Sequence, residues 1–111
     1  MSIKEVRQKL KADWVGMDYE PICFFLKRLK IDFDPDHVKS CLEELYEDSK
    51  RRNQLQGKKR KIIQAGFVYS YCFLINQRRT QKQIQKATGV SMVSIRKVYE
   101  LIPLPKIINK R

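Results

Sequence analysis

The stretch that decides the fold is Arg79-Thr80-Gln81-Lys82-Gln83-Ile84-Gln85-Lys86-Ala87-Thr88-Gly89-Val90-Ser91-Met92-Val93-Ser94-Ile95-Arg96-Lys97-Val98-Tyr99. Thr80 with Gln83 three residues on is a capping box, which starts a helix by satisfying its first free N–H groups. That helix runs to about Ala87. Gly89 supplies the left-handed backbone position that ends a helix at no steric cost. Ser91 then caps a second helix that reaches about Ile102. Ile84, Val90, Ile95 and Val98 are spaced to pack the two helices together. Two short capped helices around a glycine turn make a helix-turn-helix, although an ordinary corner between helices has the same spacing.

The opposite face of the second helix separates these readings. Ile95, Val98, Tyr99 and Ile102 form its inward stripe, while Val93, Arg96 and Lys97 fall together on the other side. In a DNA-reading helix-turn-helix, the N-terminal half of this helix enters the major groove. A guanidinium fork such as that of Arg96 matches guanine O6 and N7, and a valine such as Val93 meets a thymine methyl. Ser91 and Thr80 stand where hydroxyls hold phosphates, and Arg78, Arg79, Lys82 and Lys86 flank the motif. The plainer alternative is that Arg96 is a solvated surface arginine.

Working outward, the rest of the chain is patterned for helices. Ser2 and Glu5 form another capping box, followed by Ile3, Val6, Leu10 and Trp14 at helical spacing. Gly16 closes this first helix over 2–14. A second starts at Asp18 to Pro21, with Ile22, Phe25, Leu26 and Leu29 on its apolar face. Asp34-Pro35 starts a third, which carries Val38, Cys41, Leu42 and Leu45 and is expected to continue into Lys50-Arg51-Arg52. After Gly57, the segment from about Lys59 to Ile75 is apolar nearly all round, as a helix surrounded by others must be. Ala65 and Gly66 leave room on it for a close neighbour. Pro103-Leu104-Pro105 is expected to stop the last helix and release a short basic tail over 103–111. No strand-like alternation is sustained, so the chain is all-α and forms one domain, 1–111.

Charge divides the chain. Residues 1–48 hold eight Lys/Arg and eleven Asp/Glu, whereas residues 49–111 hold sixteen Lys/Arg and one acid, Glu100. A half so poor in acids repels itself unless a polyanion faces it. Lys58, Lys59, Arg60 and Lys61 form its densest cluster. Duplex DNA is the leading partner. An anionic membrane surface is the runner-up, but no basic amphipathic helix with a broad exposed apolar face supports it. No apolar run approaches the roughly twenty residues that cross a bilayer, so no membrane role is expected. Cys23, Cys41 and Cys72 are odd in number and widely spaced, and His37 is the single histidine. This excludes a disulfide framework and the usual metal sites, and no cofactor is expected. Asp32, Asp34 and Asp36 lack the glycine and distal glutamate of a calcium loop and read as helix-capping acids. Without a catalytic constellation the chain is not expected to be an enzyme, and an intracellular place, cytoplasm or nucleoid in an archaeon or virus and nucleus in a eukaryote, fits the reduced cysteines.

The segments Arg79–Ile84 and Thr88–Tyr99 resemble the end of a cyclin-like repeat of transcription factor B, the general initiation factor of archaea and eukaryotes. The resemblance is greatest to its second, C-terminal repeat. Gly57 to Phe73 resembles the buried central helix of that repeat, Pro21–Leu26 with Leu29 its opening helix, and Val38 to Leu45 its second. It spans residues 18–102 and implies a five-helix cyclin-like repeat, ending in a helix-turn-helix over 80–102, with the 2–14 helix as an addition. It also implies reading of promoter DNA upstream of the TATA box by a valine and an arginine that fall on Val93 and Arg96. TATA-binding protein and the RNA polymerase machinery are the protein partners it suggests. Only one repeat and no zinc-ribbon cysteines are present here, and Gln85 stands where a small alanine usually packs. The expected role is a transcription regulator or partial initiation-factor paralogue, with a homodimer in place of the two-repeat arrangement left open. A cyclin-like protein-interaction module, docking through Glu43, Glu44, Glu47 and Asp48, and an RNA binder using the basic loop are the alternatives.

Overall fold

A computed structural model describes residues 19–108, and the described part is helical without strands. Seven helices follow in order: α1 Tyr19–Arg28, α2 Pro35–Glu47, α3 Ser49–Leu55, α4 Arg60–Leu74, α5 Gln81–Thr88, α6 Met92–Leu101 and α7 Leu104–Ile108. The helix expected over 2–14, with Trp14, lies outside the described residues.

Local chemistry sets most boundaries. Asp34 caps α2 by accepting from the Asp36 N–H at 3.0 Å, and Pro35 takes the first helical position, where its missing N–H is not needed. The expected continuous third helix is corrected here: the chain breaks at Asp48 into α2 and α3. Asp48 is extended (φ −85°, ψ 93°), ends α2, and caps α3 by accepting from the Arg51 N–H. Lys50, Arg51 and Arg52 therefore stand at a helix start, not at a helix end. Arg51 finds compensation elsewhere, donating to the Leu101 carbonyl at the end of α6 at 2.6 Å and pairing with Asp48.

α1 and α4 end alike. After α1, the Ile31 N–H bonds to the Leu26 carbonyl and Lys30 to Lys27; after α4, Gln77 bonds to Cys72 and Asn76 to Phe73. Both are Schellman closures, which need one residue in the left-handed region. Lys30 (φ 57°) and Asn76 (φ 61°) occupy it. Gln77 then joins the two loops, accepting from the Asp32 N–H and donating to its carbonyl.

α4 is the hub, packed against α1, α5, α6 and α7. Ile63 to Val68 and Ser70 to Cys72 are all buried along it. The closest partner is α6: a Cβ on Gly66 would lie 2.7 Å from Val98 Cβ and collide with Val98 Cγ1. Phe67 and Tyr71 stack beneath this contact, and the buried Tyr71 hydroxyl hydrogen-bonds His37 Nδ1 on α2 at 2.7 Å. Ile22 and Leu26 from α1, Val38 and Leu45 from α2, and Ile84 from α5 complete the core. Counting α2 and α3 as one broken helix, five helices precede Pro103.

The expected tail is the second correction. Pro103-Leu104-Pro105 does end α6, but Leu104 is fully buried and begins α7. Proline is tolerated in a first helical turn, so Pro105 does not prevent it. Ser70 fixes the junction from inside α4, donating to the Ile102 carbonyl at 2.8 Å and accepting from the Leu104 N–H at 2.7 Å.

Candidate nucleic-acid interface

The helix-turn-helix is held by side chains it carries itself. Thr80 accepts from the Gln83 N–H at 3.1 Å, while the Gln83 side chain accepts from the Thr80 N–H at 2.8 Å. Gly89 takes the left-handed position (φ 78°). The buried Thr88 locks the turn in a way the sequence reading missed: its hydroxyl donates to the Ile84 carbonyl and accepts from the Val90 N–H. Ser91 caps α6 by accepting from the Ser94 N–H. Ile84, Val90, Ile95 and Val98 are buried between the helices and α4. The outward face of α6 is thereby fixed by tight internal packing.

On that face Val93 is 61% exposed, and Arg96 and Lys97 are exposed beside it. A single exposed apolar side chain is ordinary on a surface; Val93 shares its face of α6 with two exposed cations and is open to contact. Arg96 Nη2 donates to Gln81 Oε1 at 3.3 Å, so its guanidinium is tied to the start of α5.

Cations from elsewhere in the chain surround this face. A groove of about 120 Å³ is lined by Lys58 and Lys59 ahead of α4 and by Ser94 and Lys97 on α6. Lys61 reaches the turn, its ammonium 3.4 Å from where a side chain on Gly89 would begin. Arg60 is exposed on the first turn of α4, where no acid is found and Lys59 makes no side-chain cap. Cations at the positive end of a helix dipole are unfavourable, and a bound anion relieves both charges at once. On α5, Lys82 and Lys86 line a depression of about 380 Å³ with Gln85 and Gly89. Gln85 is exposed there, so its size does not disturb packing.

One of the expected phosphate contacts is turned onto the protein. Arg79 is half-buried and turned onto the protein: Nε donates to the Leu29 carbonyl at 3.2 Å and Nη1 to the carbonyls of Gln77 and Arg78. Its work is to join α1 to the start of α5. Arg78 is exposed, with its guanidinium 4.8 Å from the centroid of the Phe73 ring. Two cations the sequence reading did not select, Arg28 and Lys30, are brought beside α5 by the fold. They lie in the acid-rich half, and no local pattern marks them.

A buried hub helix ringed by shorter ones and closed by a helix-turn-helix is the cyclin-like class of all-α repeat. The chain belongs to the transcription factor TFIIB repeat family, whose model matches residues 19–103. No curated protein and no solved structure matches it. Membership makes the chain a transcription-related, cyclin-like module of a fold that serves as a transcription factor. Among the described residues no helix is long and apolar enough to cross a membrane.

Proposed function

We propose that the chain is a DNA-binding transcription regulator or partial initiation-factor paralogue, built on a repeat of the second, C-terminal kind. α6 enters the major groove, where Arg96 reads a guanine and Val93 and Lys97 contact neighbouring base edges. Lys58, Lys59, Arg60, Lys61 and Arg78 meet phosphates on one side, Lys82 and Lys86 on the other. The Thr80 and Ser91 hydroxyls meet phosphates as well. Arg79 positions the motif instead of touching DNA. TATA-binding protein and the polymerase machinery are the partners that family membership suggests.

The observation that carries this reading is the exposed Val93-Arg96-Lys97 face beside the groove of Lys58, Lys59 and Lys97. The test is selection of bound sequences from a random duplex pool, followed by salt titration on the selected site. Binding should weaken linearly in log salt, and Arg96→Ala should lose about 1–3 kcal/mol on the selected site while its sequence preference relaxes. Equal losses on selected and random duplex would remove the readout role. A protein-interaction module is favoured by one observation, Phe24 on α1 being 56% exposed. It requires that duplex affinity be absent.

A further inference from the structure

Beyond the helix-turn-helix, a cleft of about 360 Å³ opens between the end of α1 and the outer face of α5. Arg28, Lys30, Arg79 and Lys86 line it, with Leu29 and Ala87, and no acid is among its lining residues. We propose that this cleft is a second phosphate site, holding the backbone of the same duplex beyond the base pairs read by α6. The inference rests on the DNA-binding reading and adds to it the end of α1, with Arg28 and Lys30, which that reading does not use.

Three observations support it. The first is continuity. Lys86 lines both this cleft and the depression of Lys82, Gln85 and Gly89, so one basic band runs from the helix-turn-helix turn to the end of α1. The second is rigidity. Arg79 bonds the Leu29 carbonyl, which fixes the lip carrying Arg28 and Lys30 against α5. The Arg28 guanidinium also lies 5.7 Å from the centroid of the Phe24 ring. Cation–π attraction to the ring favours the guanidinium at that place.

The third is strain. Lys30 occupies the left-handed position of a Schellman closure with φ 57°. Glycine is the residue that closes a helix there without steric cost. A lysine at this point makes the fold less stable than glycine would, and it puts an ammonium on the rim of an acid-free cleft. A residue kept in an unfavourable conformation is a pointer to a contact made elsewhere. An acidic peptide has matching charge, but the continuity through Lys86 favours the polymer already placed on α5.

The position of Lys30 gives a test that misfolding cannot imitate. Lys30→Gly should raise the thermal midpoint. Anisotropy titrations then use two duplexes, one limited to the selected core site and one extended by about a helical turn at both ends. Wild type should bind the extended duplex more tightly. Lys30→Gly should bind the short duplex as wild type does and lose roughly three- to tenfold on the extended one, its log–log salt slope falling by about 0.9, one phosphate's worth. Arg28→Ala should act in the same direction. Unchanged affinity of Lys30→Gly for the extended duplex overturns the proposal while leaving the helix-turn-helix reading intact. Equal weakening on both duplexes also overturns it. If wild type shows no salt-dependent duplex binding, both readings fall. If polyglutamate binds wild type tightly and Lys30→Gly weakly, with no effect of duplex extension, the occupant is an acidic peptide.

Discussion

Arg96 on α6 and Gln81 at the start of α5 are joined by a hydrogen bond of 3.3 Å, guanidinium to amide oxygen, across the mouth of the helix-turn-helix. Arg96 has five donors and one of them, on Nη2, makes this bond, which leaves four for another acceptor and narrows the rotamers the side chain samples. Under the proposed readout role that lowers the cost of binding. Gln81 is half-buried and its bond to Arg96 is an exposed one, so Gln81→Ala should change stability by no more than about 1 kcal/mol. Its effect should fall on discrimination: the ratio of affinities for selected and random duplex drops several-fold. Competition titrations of the two duplexes check this, and in an Arg96→Ala background the Gln81 substitution should add nothing.

The closeness of α4 and α6 gives a prediction of the opposite kind. Gly66→Ala adds one methyl at a point 2.7 Å from Val98 Cβ. Alanine is the better helix former by about 1 kcal/mol, yet overpacking a fixed contact costs about 1–3 kcal/mol, and the contact lies at the hub of the core. Net destabilisation is expected in urea unfolding. Val98→Ala in the same chain should recover part of the loss, because the colliding methyl is then gone, whereas Val98→Ala alone only opens a cavity.

What could be read from the sequence was what a few neighbouring residues decide. The Thr80–Gln83 box, the Gly89 turn, the Ser91 cap and the Asp34-Pro35 start are local hydrogen-bond chemistry, and each forms as the pattern indicates. The apolar run of α4 likewise announces a surrounded helix. What escaped was decided by packing. Asp48 looks like one more helical acid until its side chain caps the next turn. Leu104 looks like part of a tail until Ser70 bonds its N–H. Arg79 looks like one of a pair of phosphate-seeking arginines, and only the fold brings the Leu29 carbonyl to it. Arg28 and Lys30 gave no signal, since their cleft joins residues some fifty positions apart.

That separation of Arg79 from its neighbours can be measured. Arg79→Ala removes bonds to the carbonyls of Leu29 and Gln77 and should cost about 1–3 kcal/mol of stability, since bonds from charged donors are the stronger kind. Lys82→Ala, at an exposed lysine, should leave the urea midpoint unchanged. It should weaken binding to all duplexes alike and lower the salt slope by about one.

Ser70 answers for α7. Its hydroxyl is the partner of both the Ile102 carbonyl and the Leu104 N–H. Ser70→Ala leaves both without that partner in a buried place, at a cost of about 1–3 kcal/mol for each group left unsatisfied. The Leu104 amide should also exchange its hydrogen much faster than in wild type, before any change at the α5–α6 turn, because only the junction to α7 is released. Uniform acceleration across the whole chain would mean that Ser70 supports the core at large.

The cysteines give a prediction in pH. Burial pushes the Cys41 and Cys72 thiols up from 9.0 to about 11, and raises Cys23 by a smaller amount. In the unfolded chain the Cys41 and Cys72 thiols ionise near 9; in the folded chain these two stay neutral up to about 11. Between those values the unfolded state holds fewer protons than the native one, so stability falls as pH rises. The contribution of each buried thiol is complete below pH 9 and shrinks by about 1.4 kcal/mol per pH unit above it. Urea midpoints should be flat to about pH 9 and decline beyond, and a Cys41→Ala, Cys72→Ala double variant should lose much of that decline. At pH 8 an alkylating reagent should modify the half-exposed Cys23 in the native protein and reach all three cysteines only in denaturant, since the thiolate is the reactive form and the other two are both neutral and enclosed.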